Sequence, residues 1–128
     1  MTEEKNITAG ELAEFCAKIA DDKKAENILT LKLENLSLLA DYFVICTANS
    51  QPHLNAIAEW AKRKSREFYN IRPLTVDGTP ASEWIVVDYG NVIMHILSQE
   101  ARDKYQLEAL WNDAEKMEKI LTDRLNGI

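Results

Sequence analysis

Apolar side chains recur along this chain at two spacings, and each spacing predicts a different kind of element. The helical spacing comes first. Leu12, Phe15, Cys16, Ile19 and Ala20 form one stripe, opened by the capping-box pattern Thr8-Ala9-Gly10-Glu11 and closed by the polar run Asp21-Asp22-Lys23-Lys24. From Asn27 to Glu34 the spacing changes to two. Ile28, Thr30 and Lys32 alternate with Leu29, Leu31 and Leu33, as in a half-buried strand. The loop Asn35-Leu36-Ser37-Leu38-Leu39-Ala40 leads to a second strand, Asp41 to Ala48, whose unbroken apolar centre predicts a central place in a sheet.

Asn49-Ser50 then caps a second helix with Pro52 in its first turn, where the missing N–H costs little. This helix is expected to bury Leu54, Ile57, Ala58, Ala61 and Phe68 and to expose Lys62, Arg63, Lys64 and Arg66. Asn70 ends it. Ile71 to Val76 reads as a third strand, placed at an edge by Pro73, and Asp77-Gly78-Thr79-Pro80 as a loop. The alternation is clearest from Glu83 to Leu97, two strands joined at Gly90-Asn91. Glycine at the first position of a type II′ turn supplies the positive φ that such a hairpin needs. That turn sets Asp88 opposite Ile93, Val87 opposite Met94 and Val86 opposite His95. A final helix is expected from Tyr105 to Leu125, with Leu107, Leu110, Trp111, Ala114, Met117, Leu121 and Leu125 on one face.

The resulting order, αββαβββα, describes one α/β (α+β) domain with a mixed five-stranded sheet flanked by helices. At 128 residues the chain is long enough for one real core and too short for two. No repeat or linker divides it.

The hairpin register sorts its side chains into two faces. Ile85, Val87, Tyr89, Val92, Met94 and Ile96 are almost wholly apolar and suit packing under helices. Trp84, Val86, Asp88, Ile93, His95 and Leu97 mix large apolar groups with a carboxylate and an imidazole, as a surface covered by another molecule does. The same residues also fit a hairpin covered on both sides, with Asp88 at the turn and His95 a hydrogen-bonded core histidine.

Charge narrows the partners. Fifteen basic against twenty-one acidic residues leave −6 and a pI near 4.9, so bulk charge does not hold this chain to a phosphate backbone. The balance favours basic protein partners, including those of nucleoprotein particles. Cys16 and Cys46 both fall at apolar positions and are expected as free thiols. The start carries neither a secretory nor a transit pattern, and no apolar run reaches the roughly 18 residues of a membrane span, so the chain is expected in the cytoplasm.

Little in the sequence points to catalysis. The four glycines form no phosphate loop, and His53 and His95 lie in different elements with no metal-ligand spacing. A Ser50–His53–Asp triad can be drawn, but Ser50 is already explained as a helix cap. Asp41 and Asp88 suit turns and strand ends, or else a carboxylate pair holding a divalent ion. Lys62 to Arg66 reads as a solvated helix face, or else as a contact with RNA. No enzyme activity, cofactor or metal is expected.

Several blocks together resemble the ribosomal silencing factor (Iojap-like) family. They are Asp41-Tyr42-Phe43-Val44-Ile45-Cys46-Thr47, Ser50 with His53, Glu83-Trp84, Asp88-Tyr89-Gly90, His95, and the run from Arg102-Asp103-Lys104-Tyr105 to Trp111. The likeness spans about residues 9–114 and leaves 115–128 as an extension; Ala48 stands where the family usually has glycine. The resemblance implies a fold related to nucleotidyltransferases but without their catalytic aspartates. It implies binding to a basic large-subunit ribosomal protein, the one numbered fourteen, so that the small subunit cannot join and translation falls when nutrients are short. It also implies a role in large-subunit assembly, with contact to nucleic acid only through the ribosome, and a homodimer in isolation. On this reading Trp84, Asp88, Ile93, His95 and Leu97 meet the partner, and Tyr105 and Leu107 extend or brace the patch.

Overall fold

A computed structural model describes residues 7–33 and 40–107. Its elements are α1 (Ala9–Asp22), β1 (Glu26–Lys32), β2 (Tyr42–Ala48), α2 (Gln51–Tyr69), β3 (Thr75–Asp77), a 3-10 turn (Pro80–Ser82), β4 (Trp84–Asp88), β5 (Val92–Ser98) and α3 (Gln99–Tyr105). The strands form one mixed sheet in the order β1-β2-β5-β4-β3, in which β2 and β5 run parallel and the other neighbours antiparallel. β2, whose buried run extends from Phe43 to Ala48, lies inside the sheet, and β3 lies at an edge, both as the sequence predicts.

The hairpin forms in the expected register, with Asp88 opposite Ile93, Val87 opposite Met94 and Val86 opposite His95. Gly90 takes φ +94° at the turn, a region in which a Cβ is strained, and the Asp88 carboxylate accepts the Gly90 N–H at 2.7 Å. The first hairpin face packs under α1 and α2. Ile85, Val87, Tyr89, Val92, Met94 and Ile96 share one core with Leu12, Cys16, Ile19, Leu54, Ile57, Ala58 and Ala61.

Local signals set the helix ends. Thr8 and Glu11 form the reciprocal capping box of α1, and the Ser50 hydroxyl accepts the His53 N–H at 3.1 Å to start α2. Asn70 closes α2 in the left-handed region at φ +54°.

Four expectations need correcting. Of the two readings of the second hairpin face, the open partner surface fails and the covered one holds: Trp84, Val86, Ile93 and Leu97 form a second core with Phe43, Ile45, Leu31, Leu33, Ala40, Ala101 and Leu107. Phe68 is 56% exposed, because the stripe of α2 outruns the sheet; Ser65 takes the last buried position. The third strand starts at Thr75 rather than Ile71, since Pro73 has no N–H to donate and the first link to β4 is Leu74 N–H to the Asp88 carbonyl at 2.7 Å. A helix also begins earlier than expected after β5. The Ser98 hydroxyl caps α3 through the Ala101 N–H at 3.1 Å, and α3 ends at Tyr105 with Gln106 at φ +48°. The greater part of the final helix expected from Tyr105 to Leu125 falls outside the described residues, as does the loop over residues 35–39.

Candidate functional site

His95 lies at the centre of the region that the sequence singles out, on β5 between β2 and β4 and wholly buried. The Trp84 indole N–H donates to His95 Nδ1 at 3.1 Å, so Nδ1 carries a lone pair and the ring proton sits on Nε2. Aromatic contacts extend this pair in both directions. Phe43 meets the His95 ring edge-on at 4.6 Å between centroids, and Trp84 lies 4.5 Å from Tyr105. The result is a row, Phe43–His95–Trp84–Tyr105, that runs from the sheet interior to the surface. Tyr105 is its exposed end at 37%.

The seven residues expected at the partner contact therefore separate. Trp84, Ile93, His95, Leu97 and Leu107 are at most 3% exposed, so a partner cannot reach them while the chain keeps this fold. Asp88 is half-buried at the turn, at the opposite end of β4 from Trp84, and its carboxylate is engaged by the Gly90 N–H. Only Tyr105 is open to solvent.

α3 is anchored firmly for so short a helix. Ala101 and Leu107 enter the second core, while the Arg102 guanidinium donates to Thr47 Oγ1 at 2.9 Å and to the Asn27 carbonyl. Asn27 offers that carbonyl from a positive-φ position, φ +49°, at the irregularity in β1. On the outer side of α3 stand Glu100, Asp103, Lys104 and Tyr105, with Gln99 donating to Asp103 at 2.8 Å and the Lys104 ammonium 5.3 Å from the centre of the Tyr105 ring. Apart from Tyr105, the sequence reading did not single out this exposed surface; Ser98 followed by Gln99-Glu100 was the available signal for the helix, a cap before an acidic first turn.

Other candidate chemistry resolves into structure. His53 is no base for Ser50: Nδ1 accepts the Asn49 N–H at 3.0 Å, and Nε2 lies 2.7 Å from the Lys23 carbonyl, to which it donates. Three of the four helix cations, all but Arg66, are matched by their own helix. Lys62 pairs with Glu59 at 3.1 Å, Arg63 with Glu67 at 3.1 Å and Lys64 with Glu67 at 2.9 Å. Hydrogen bonds from Lys64 and then Arg63 hold the Glu67 carboxyl below its usual range. Burial pushes the thiols of Cys16 and Cys46 up to about 12, so neither is a nucleophile at neutral pH. No group of three or more potential metal ligands occurs among the described residues.

Comparison with known proteins gives one consistent answer. The sequence model of a family described as "Ribosomal silencing factor during starvation" matches residues 6–126. A protein of Bacillus subtilis named ribosomal silencing factor RsfS is 40% identical over 80% of this chain and 86% of its own length. Its namesake from Halalkalibacterium halodurans is 36% identical over 84% and 92%. A mouse protein named "Mitochondrial assembly of ribosomal large subunit protein 1" is 29% identical over 70% of this chain and 40% of its own. The fold also matches a crystal structure of a Chromobacterium violaceum protein, with a TM-score of 0.78, 26% identity and coverage of 83% of this chain and 88% of that one.

Proposed function

Because the chain belongs to the ribosomal silencing factor family, we propose that it binds the large ribosomal subunit through the basic protein numbered fourteen and keeps the small subunit from joining. The observation that carries this reading is the match over residues 6–126, which takes in nearly the whole chain. Its acidic balance of −6 supports it, since complementary charge speeds encounter with a cationic ribosomal protein. Inhibition on this reading is steric. The relatives are named for a regulatory role, and overlap with the small subunit's contact needs no bond chemistry.

The contact we propose is the outer side of α3. Tyr105 supplies the aromatic anchor, Glu100 and Asp103 the charge complement, and the sealed Trp84–His95 pair holds Tyr105 in place. Where the chain works follows from its target: the ribosomes of a bacterial cytoplasm, approached as a monomer or as a homodimer that opens.

Co-sedimentation with purified large subunits, followed by addition of small subunits, tests the reading. Wild-type protein should pellet with large subunits and lower the yield of joined ribosomes. Tyr105→Ala with Asp103→Lys should weaken that binding by about tenfold or more. Failure of the wild type to pellet would remove the function. Wild-type binding with an unaffected double variant would remove only the α3 surface. The mouse relative's name favours a second reading, a part in assembling the large subunit. On that reading the protein should follow immature large-subunit particles in a gradient and be absent from mature ones.

A further inference from the structure

The β3 edge of the sheet carries a surface on which cations outnumber carboxylates. A groove of about 790 Å³ runs between the outer flank of α2 and β3, lined by the cations Lys62, Arg63, Arg66 and Arg72, by the carboxylates Glu59 and Glu67 that pair with the first two, and by Leu74 and Val76 among others. Two of its features are unusual for this chain. Leu74 is 71% exposed and Val76 42%, both on or beside an edge strand. And among the described residues neither Arg66 nor Arg72 has an ion-pair partner, whereas Lys62, Arg63 and Lys64 are paired within α2.

The backbone of β3 is open on this side. In β4 the main-chain groups of Glu83 and Tyr89 bond to β5, as the Ser98 N–H to Glu83 carbonyl and Tyr89 N–H to Val92 carbonyl links show. Alternate residues of an antiparallel strand bond to opposite neighbours, so Val86 and Asp88 serve β3, opposite Asp77 and Thr75. Val76, between those two, turns its N–H and C=O away from β4, to a side where no strand follows among the described residues. Its side chain shares a face with that of Val87, the face covered by α1 and α2, and so borders the groove.

We propose that this edge binds an extended acidic protein segment, added as a further strand beside β3. Such a segment would bond to Val76 through its backbone, lay apolar side chains on Leu74 and Val76, and set carboxylates against Arg66 and Arg72. The open strand and the exposed aliphatic groups favour a peptide over RNA, which would call for more unpaired cations and a stacking ring among the lining residues. The shortness of β3, three residues, suits addition of a brief segment rather than open-ended aggregation. The site stands apart from α3 and does not depend on the ribosomal reading.

The probe is a fluorescent peptide of about ten residues alternating valine and glutamate, titrated by anisotropy against the full chain. Binding should fall by at least about tenfold in Arg66→Glu/Arg72→Glu, through lost charge pairing, and in Val76→Pro, through the lost outward N–H. Proline at position 76 removes no bond to β4, so the fold should persist. If that variant unfolds, amide exchange in the wild type decides instead: the Val76 amide should exchange more slowly when the peptide is added. The double arginine variant should still sediment with large subunits. The proposal is overturned if the peptide does not bind, if an alternating valine–lysine peptide or a uridine oligonucleotide binds as well, or if Val76→Pro abolishes self-association of the chain, which would make a second copy the occupant.

Discussion

Trp84→Phe isolates the bond on which the second core is organised. The substitution keeps a ring but removes the N–H that donates to His95 Nδ1 across 3.1 Å, and His95 has no exposed surface through which water could replace it. An acceptor left unsatisfied in such a place costs about 1–3 kcal/mol. Loss of the five-membered ring removes about 40 Å³ of side chain, which at about 24 cal/mol per Å³ adds about 1 kcal/mol. The expected destabilisation is thus about 2–4 kcal/mol, a large share of the roughly 5–15 kcal/mol that keeps a domain folded. Urea unfolding followed by circular dichroism measures it, with His95→Leu and the double variant completing a cycle. Replacing both partners by apolar groups removes the unmet demand, so the double variant should be more stable than the sum of the singles by about 1–2 kcal/mol. A coupling below about 0.5 kcal/mol would show that the hydrogen bond is incidental to the packing. Under conditions where it stays folded, Trp84→Phe should still bind large subunits but less tightly than the wild type, because Tyr105 packs on the Trp84 ring and is held less well by the smaller one.

Alkaline pH should loosen the fold through the two thiols. Their folded values near 12 lie above the ordinary 9.0, so from pH 9 upward the unfolded chain releases protons that the native chain keeps, and stability falls by up to about 1.4 kcal/mol per pH unit for each thiol. Burial pushes the Tyr89 hydroxyl up as well, which acts in the same direction at higher pH. Urea midpoints taken at pH 8 and at pH 10.5 should separate in the wild type and draw together in Cys16→Ala/Cys46→Ala; equal separations would refute the assignment. Gly90→Ala should cost about 1–2 kcal/mol, because alanine resists φ +94° and its Cβ would stand 3.2 Å from Leu74 Cδ1. An unchanged melting temperature would refute that account. Ser50→Ala should cost about 1 kcal/mol through the uncapped His53 N–H, read as a lower melting temperature with unchanged helix content.

The hairpin shows what a sequence can and cannot disclose about such a fold. Its register was legible because Gly90-Asn91 fixes which residues face one another, and a slip of one position would turn every side chain over. Whether a face is covered is a different matter. The cover of the second face comes from Leu31, Leu33, Ala40, Ala101 and Leu107, which are distant in sequence from much of what they bury. The two polar residues pointed to a surface for the same reason. His95 has its demand met inside by Trp84, and Asp88 by Gly90 two residues on, but neither partnership follows from alternation. Helix α3 was missed because seven residues are too few to establish a period. Phe68 failed in the opposite sense. It keeps the period of its helix, but the sheet beneath has ended, and it packs at the rim with Phe15 at 6.1 Å between ring centroids.

Burial of the second face also limits how a partner can bind. For Trp84, Ile93 and Leu97 to meet another molecule directly, α3 and the residues packed with it would have to leave the sheet. Uncovering those three side chains alone costs about 5–9 kcal/mol at about 1.5–3 kcal/mol each, comparable with the whole stability of a domain. The move would also break the Arg102 bonds to Thr47 and Asn27, which tie α3 to β2 and β1. A partner gaining contact with the bare face would need that much additional affinity merely to break even, equivalent to a change of about 10⁴ to 10⁶ in Kd. Docking on the outer side of α3 requires none of it. The Trp84–His95 pair then matters to binding by keeping Tyr105 in one place, so that its ring enters the interface already ordered and little entropy is lost there.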